Sequence, residues 1–230
     1  MINDIVTALE SYADPARQKF AATSYPTKTR VIGVTNPPLK EVLKEVRSQT
    51  QNYSVGEKIE LSKILVQSSI FECQQLAYEF IGRDKKCLNQ LTEKDIDQLG
   101  INLDNWVAVD YYAALIVGVA WREQIINTQK IKKYLQSDDV WIRRVGVVAT
   151  VALNQKARGG HGDPIQTLEI CKLVVDDHAD MINKALSWAL RELAKRDKTP
   201  VEAFICQYKD RLHKRVLHEV THKLEKGTKN

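Results

Sequence analysis

The chain has few of the residues that interrupt helices, with only 10 glycines and 6 prolines among its 230 residues. Folds built on β-sheets need these residues at their tight turns, so the shortage argues against a sheet-rich protein. Leu, Ala, Val, Lys, Glu and Gln are abundant instead, and 43% of the residues are hydrophobic, enough to bury a sizeable core. The composition therefore predicts an all-α fold.

Cysteines and long apolar runs are scarce as well. The four cysteines, at positions 73, 87, 171 and 206, include no CxxC pair. A structural zinc site built from four cysteines needs closely spaced ligand pairs, which this sequence does not provide. It also contains no secretory signal core and no apolar run long enough to cross a membrane. We therefore expect a reduced, soluble, intracellular protein in the cytoplasm.

The charge balance is mildly basic. Lys and Arg together number 34 against 29 Asp and Glu, which gives a net charge of +5. An excess of this size permits a polyanionic partner such as nucleic acid without proving one.

Four stretches of similar length share a helical pattern of apolar residues. They are FECQQLAYEFIG from Phe71, NWVAVDYYAALIVG from Asn105, WIRRVGVVATVAL from Trp141 and MINKALSWALREL from Met181. Their starts are about 35 to 40 residues apart, the period of paired-helix repeats. Candidate partner helices, NTQKIKKYLQ and DPIQTLEICKLVVD, lie between them. The pattern predicts one domain over residues 1–230, a HEAT-like or armadillo-type α-solenoid of stacked antiparallel helix pairs with a concave basic face.

Helix starts are indicated at two further points. Ser137 is predicted to be an N-cap, with Asp138 and Asp139 in the first turn, where carboxylates complement the helix dipole. The stretch GGHGDP is predicted to be a loop, after which Asp163 caps a helix that begins at Pro164.

A small set of aromatic and charged residues is the candidate site. Trp106 and Asp110 are four residues apart, so a helix places them on one face, roughly 40° apart in projection. A lone tryptophan is usually a core residue, but a carboxylate in this apolar stretch needs a cation or a solvent-filled groove. Arg143 and Arg144 are adjacent and cannot face the same way. We expect one of them to converge with Trp106, Asp110 and Trp188 on a single groove.

The ordered set of segments resembles a known family. NWVAVD, WIRRVGVVATVAL and INKALSWALRELAKRDKTPVEAFI, in this order, resemble the DNA alkylation repair family of AlkD-like HEAT-repeat DNA glycosylases. GVTNPPLKEVLKEV and LAYEFIGR are similar to the family's first repeats, so the resemblance covers nearly the whole chain. It implies that Trp106, Asp110 and Trp188 are the catalytic residues and that Arg144 is the active-site arginine.

The resemblance also implies a reaction. It indicates a DNA repair glycosylase that hydrolyses the N-glycosidic bond of cationic alkylated purines, N3-methyladenine and N7-methylguanine, in duplex DNA without base flipping. The enzyme is expected to be a monomer without a metal or a cofactor, associated with the nucleoid through DNA. A cationic purine leaves as a neutral base, so one carboxylate that stabilises the oxocarbenium-like sugar can suffice.

A groove that follows the DNA backbone should be lined by cations. The candidates, for each of which a solvated surface charge is the alternative, are Lys28, Arg30, Arg143, Lys156, Arg158, Lys184 and Arg191. Arg144, the arginine that the resemblance implies, is expected to bind a phosphate next to the lesion.

Other functions remain open at this stage. The same solenoid could recognise branched or damaged DNA without catalysis, in which case binding would depend on salt but no base would be released. It could also be a protein–protein scaffold, since concave helical surfaces suit that role.

The segment HEVTH, residues 218–222, matches a zinc-protease pattern. The residues after His222 provide no plausible third ligand, and His213 lies off the face that His218 and His222 share. Val216, Leu217, Val220 and Leu224 instead predict an amphipathic helix. If these histidines matter, they are expected to add pH-dependent positive charge to a DNA-binding end.

Overall fold

The computed structural model describes residues 1–228, which form helices and no β-strand. The chain divides into two compact units, an N-terminal unit, Met1–Ile116, and a C-terminal unit, Val117–Asn230. Within residues 1–228, no helix is both long enough and apolar enough to cross a bilayer. The all-α prediction is thus confirmed, whereas the solenoid arrangement, its concave face and the single domain stay predictions.

In the N-terminal unit, the central element is the helix that begins at Phe71. The helices are α1 (Ile2–Glu10), α2 (Pro15–Ser24), α3 (Asn36–Gln49), α4 (Val55–Gln67), α5 (Phe71–Ile81), α6 (Lys85–Gln90), α7 (Glu93–Leu99) and α8 (Trp106–Tyr112). Helix α5 packs against α3, α4 and α8, and all its residues except Glu79 are buried. Helix α3 buries Leu39, Val42, Leu43 and Val46, an amphipathic face at helical spacing.

The C-terminal unit also has a central helix, α14 (Asp180–Ala194). A π-helical stretch, Ala113–Val117, follows α8 and contains the boundary between the units. The helices are α9 (Gly118–Arg122), α10 (Thr128–Leu135), α11 (Val140–Ala149), α12 (Val151–Asn154), α13 (Pro164–Lys172), α14 (Asp180–Ala194), α15 (Thr199–Tyr208) and α16 (Lys214–Lys226). Helix α14 packs against α11, α13, α15 and α16.

The four helices predicted from the recurring pattern are all present, as α5, α8, α11 and α14. The two partner helices are α10 and α13, which pack against α11 and α14 respectively. The apolar periodicity therefore identified the two central helices, α5 and α14, together with α8 and α11, because a helix buried against its neighbours needs an apolar face.

The predicted start of α11 is wrong by a few residues. Asp139 is the N-cap, and its carboxylate accepts the Trp141 N–H at 2.8 Å. Ser137 lies outside the helix, where its hydroxyl accepts the Asp139 N–H at 3.1 Å. Asp138 and Asp139 therefore precede the first turn, because the later carboxylate competes successfully for the free N–H groups. The start of α13 is as predicted, with Asp163 capping and Pro164 in first position.

The loop between α12 and α13 is stabilised by two arginines. It includes a short 3-10 turn, Lys156–Arg158. The guanidinium groups donate to four backbone carbonyls: Arg122 Nη1 to Ala152 O (3.0 Å) and Arg158 O (2.6 Å), Arg196 Nε to Asn154 O (2.6 Å) and Nη2 to Gly160 O (2.7 Å). A Cβ at Gly160 would lie 2.7 Å from the backbone carbonyl of Leu153, so the loop also needs a glycine there. The glycine-rich sequence thus forms a loop whose backbone is held by side-chain hydrogen bonds.

Candidate active site

Helix α8 carries the predicted tryptophan and carboxylate. Asn105 is buried and caps the helix, its Oδ1 accepting the Ala108 N–H at 3.0 Å. Trp106 follows in the first helical position and is 38% exposed, which is high for so large an apolar side chain. Asp110 lies one turn further along and is half-buried. The core alternative therefore does not apply to Trp106, whose ring presents a large open surface.

Trp106 is fixed on one side by the end of α2. Its indole N–H donates to the Ser24 carbonyl at 3.1 Å. The ring meets Tyr25 edge to face, with centroids 6.1 Å apart, and Tyr25 stacks on Phe71 at 5.0 Å. Burial raises the pKa of the Tyr25 hydroxyl. These contacts orient the indole while leaving part of its surface open to a ligand.

Asp104 connects the start of α8 to the loop after α2. Its carboxylate accepts the Thr27 hydroxyl and the Lys28 N–H, the latter at 2.6 Å. Burial raises the pKa of Asp104, but the hydrogen bonds from Thr27, Lys28 and Asn105 outweigh it, so the pKa lies below its usual value. The loop that carries Lys28 is therefore anchored two residues before Trp106.

A buried carboxylate stabilises the next part of this loop. Glu72 is 1% exposed and accepts three consecutive backbone N–H groups, those of Ile32 (3.0 Å), Gly33 (2.7 Å) and Val34 (3.1 Å). A single carboxylate thus satisfies three donors that no helix or strand could pair. Glu72 lies next to Phe71 on α5, so it ties this loop to the aromatic cluster beneath Trp106.

The two predicted cations of the N-terminal unit have different surroundings. Lys28 is exposed, and its backbone is held at the N-terminal end of α8 by Asp104. Arg30 is exposed and forms an ion pair with Glu10 at 2.6 Å. Both can meet a ligand from solution, although Arg30 would exchange one partner for another.

Arg143 and Arg144 point to different partners, as expected for adjacent helical residues. Arg143 forms an ion pair with Asp177 at 2.7 Å and donates to the carbonyls of Ser137 and Asp138. Arg144 is only 5% exposed, and its Nη1 donates to the Met181 carbonyl at the start of α14. Both guanidinium groups therefore stabilise the packing of α11 within the C-terminal unit.

Trp188 is half-buried on α14 and is oriented by its own helix. Its indole N–H lies 3.3 Å from a carboxylate oxygen of Glu192, one turn later, and Glu192 is itself buried and bonded to Lys195. Trp106 and Asp110 belong to the N-terminal unit, whereas Arg144 and Trp188 belong to the C-terminal unit. Each unit thus contributes an oriented indole to the set predicted from the sequence.

A family model described as DNA alkylation repair enzyme matches residues 5–224, almost the entire chain. The chain belongs to the DNA alkylation repair enzyme family. The resemblance inferred from the ordered segments is thereby confirmed. A search of curated proteins finds no significant match.

The remaining predicted cations of this family member fall into two groups. Lys156 and Lys184 are exposed, and Lys184 pairs with Asp180 at 2.7 Å. Arg158 and Arg191 are half-buried, and Arg191 lies 3.7 Å from the Glu219 carboxylate. Burial lowers the pKa of Arg191, and the neighbouring carboxylates only partly oppose that effect. These four remain predictions as DNA contacts.

The HEVTH segment forms part of α16, and its glutamate faces the protein. Glu219 accepts the Ser187 hydroxyl at 2.6 Å, which places it against α14. His218 and His222 stack with ring centroids 6.2 Å apart, and His213 is the N-cap of the helix. Across residues 1–228, no group of His, Cys, Asp and Glu side chains could hold a metal ion. A glutamate bonded to α14 is unsuited to be the general base of a zinc site.

Sequence reasoning missed the residues that orient Trp106. Ser24, the last residue of α2, accepts the indole N–H although it lies 82 positions earlier in the chain. Tyr25, the next residue, contacts the ring edge to face. Asp104 was also missed, although its position two residues before the tryptophan that begins α8 was a usable local signal. The two other tryptophans are not part of the predicted site: Trp121 is buried and its indole N–H donates to the Thr128 hydroxyl, and Trp141 is half-buried.

Proposed function

We propose that the protein is a DNA glycosylase that removes cationic alkylated purines, such as N3-methyladenine and N7-methylguanine, from duplex DNA. The observation that carries the proposal is the pairing of an exposed, oriented indole with a half-buried carboxylate one turn later on α8. Membership of the DNA alkylation repair enzyme family makes damaged DNA the natural substrate. The proposal includes a single domain that acts as a monomer without metal or cofactor.

Asp110 is assigned the central chemical role. In hydrolysis the bond between C1′ and the purine nitrogen breaks, and its electron pair neutralises the positively charged base. Water adds to C1′ and loses a proton to solvent, so no general acid is needed. A carboxylate near C1′ stabilises the positive charge that develops on the sugar and orients the water.

The other site residues are assigned to binding. The faces of Trp106 and Trp188 attract the cationic nucleotide, an interaction worth about 0.5 to 2 kcal/mol for each indole. Arg144 is assigned to a phosphate beside the lesion, and since it is bonded to Met181 in the free protein, it would have to turn on binding. As the family resemblance implies, the lesion stays in the duplex and the residues act on its sugar and backbone.

Lesion charge provides the test of this proposal. Purified protein is incubated with duplexes that contain N7-methylguanine, N3-methyladenine or a neutral lesion such as uracil, and the released base is quantified. We expect release of both cationic purines and none of the neutral base, because a neutral base would depart as an anion unless a general acid protonates it.

Two outcomes would contradict the proposal and favour the alternatives. Salt-dependent binding to the duplexes without release of any base would indicate a non-catalytic protein that recognises DNA structure. Absence of binding to every duplex at low salt, together with co-purification of a protein, would indicate a scaffold.

A further inference from the structure

The N-terminal unit contains a groove to which the sequence did not point. It has a volume of about 630 Å³ and lies between α3 and α5, and Tyr111 of α8 also lines it. Its apolar lining includes Leu39, Leu43 and Leu76. Tyr111 immediately follows Asp110, so the groove reaches the helix that carries the proposed catalytic carboxylate. We call it the basic groove for its charged lining: Lys40, Lys44, Arg47 and Arg83, with Glu79 as the only carboxylate.

Three of the four cations form a stripe along α3. Lys40, Lys44 and Arg47 are spaced four and three residues apart, so they share one face of the helix, and all three are exposed. No ion pair with another residue of the described chain involves Lys40 or Lys44. Two lysines four apart repel each other, at a cost of a few tenths of a kcal/mol to the helix. An anionic ligand would remove that repulsion.

The remaining charges are partly fixed. Arg83 forms an ion pair with Glu79, and this contact raises the pKa of Arg83. The Arg47 guanidinium donates to the Glu79 carbonyl at 2.9 Å, which directs it across the groove toward α5. Four cations against one carboxylate leave the lining strongly positive. The single acidic side chain orients Arg83 and cannot neutralise the stripe on α3.

The spacing of the stripe matches a nucleic acid strand. From residue 40 to residue 47 the helix rises roughly 10 Å, at 1.5 Å per residue. Successive phosphates of one DNA strand are spaced about 3.4 Å along the duplex axis, so on a duplex whose axis runs parallel to α3 this distance corresponds to about three nucleotides. A single small anion would need only one of these cations. A row of exposed cations beside a leucine lining instead suits a repeating anion.

We propose that the basic groove binds the phosphate backbone of duplex DNA beside the lesion, with Lys40 and Lys44 as its principal contacts. The proposal rests on the proposed function for the identity of the polyanion. It adds a binding surface on α3 and α5, distinct from the cations that were predicted from the sequence. The groove contributes affinity without sequence preference, since phosphate contacts carry no base information.

The experiment measures DNA binding and does not depend on catalysis. Fluorescence anisotropy with a labelled, undamaged 20-base-pair duplex gives the dissociation constant between 50 and 200 mM NaCl for the wild type and for Lys40→Gln/Lys44→Gln. Each phosphate contact contributes about 0.9 to the slope of log affinity against log salt, so the variant should lose about 1.8 from that slope. At 0.1 M salt this corresponds to roughly 60-fold weaker binding.

A matched control distinguishes the loss of the groove lysines from a general loss of positive charge. Lys86→Gln/Lys94→Gln removes two exposed lysines on α6 and α7, outside the groove but in the same unit. We expect its slope to stay within about 0.5 of the wild type. Equal slopes for the wild type and the Lys40/Lys44 variant would overturn the proposal, as would equal losses in the two double variants. A wild type that binds DNA with the groove-dependent slope but releases no base would refute only the glycosylase activity.

Discussion

Both units contain an irregular segment that side chains stabilise through its backbone, and the charges of those side chains are opposite. In the N-terminal unit, residues 26–34 present backbone N–H groups to the carboxylates of Asp104 and Glu72. In the C-terminal unit, residues 152–160 present carbonyls to the guanidinium groups of Arg122 and Arg196. The peptide groups bonded to Glu72 are buried and must be paired, and those bonded to the two arginines are partly buried. The side chains that pair them differ because one segment exposes donors and the other exposes acceptors.

The difference has consequences for stability and for the site. A backbone N–H can make one strong hydrogen bond, whereas a carbonyl has two lone pairs and accepts water readily, so losing the carboxylate partner is more costly. Carboxylates also lose their charge in acid, while arginine keeps its charge at every pH a protein tolerates. The segment next to Trp106 is therefore the more sensitive of the two, to substitution and to acid.

Replacement of Glu72 should give the largest effect. Glu72→Ala leaves three consecutive N–H groups without their acceptor in a buried position. We expect the free energy of unfolding to fall by about 4 kcal/mol, measured by urea denaturation. Arg122→Ala, which removes donors from two carbonyls, is expected to cost about half as much.

Glu41→Ala is the control, since it removes an exposed glutamate from α3 and should change the free energy of unfolding by less than about 0.5 kcal/mol. If Glu72→Ala were no more destabilising than Arg122→Ala, the contrast between the two segments would not hold.

Acidification should also distinguish the two segments, with a smaller effect on stability than the substitution of Glu72. The pKa of Asp104 is depressed in the folded protein, so its stabilising contribution is present above its unfolded pKa of about 3.9. That contribution is lost as pH falls through the lower, folded pKa. We expect the amide proton of Lys28, which donates to Asp104, to shift with a midpoint below 3.9 in a pH titration followed by NMR.

In the same titration Asp104→Asn should abolish the Lys28 transition. The amide of Gly160, in the segment bonded to arginines, should show no transition that matches it. A Lys28 midpoint at or above 3.9 would show that the hydrogen bonds to Asp104 do not favour its charged form.

Sequence patterns were sufficient to predict the main helices, and local spacing brought together half of the candidate site. Apolar periodicity identified α5, α8, α11 and α14, because each of these helices buries an apolar face. The pairing of Trp106 with Asp110 followed from their four-residue spacing alone. The cap of α11 was misplaced because Ser137, Asp138 and Asp139 can all cap a helix, and only the backbone geometry selects among them.

Contacts between distant parts of the chain could not be predicted from the sequence. Glu72 lies about 40 positions from the N–H groups it accepts, and a glutamate near the start of a helix gives no indication of its partners. Nor does the sequence indicate that the Arg144 guanidinium is buried and donates to the Met181 carbonyl. The basic groove needs α3 beside α5, although the spacing of Lys40, Lys44 and Arg47 was a local signal that could have been noticed.

The role of Asp110 is the central claim, and one assay tests it most directly. Release of N7-methylguanine from a methylated duplex is measured for the wild type, for Asp110→Asn and for Asp97→Asn, which changes an exposed carboxylate on α7. We predict that Asp110→Asn lowers the release rate at least about 100-fold while DNA affinity stays within about 3-fold and Asp97→Asn retains full activity. Release by Asp110→Asn at the wild-type rate would contradict the account.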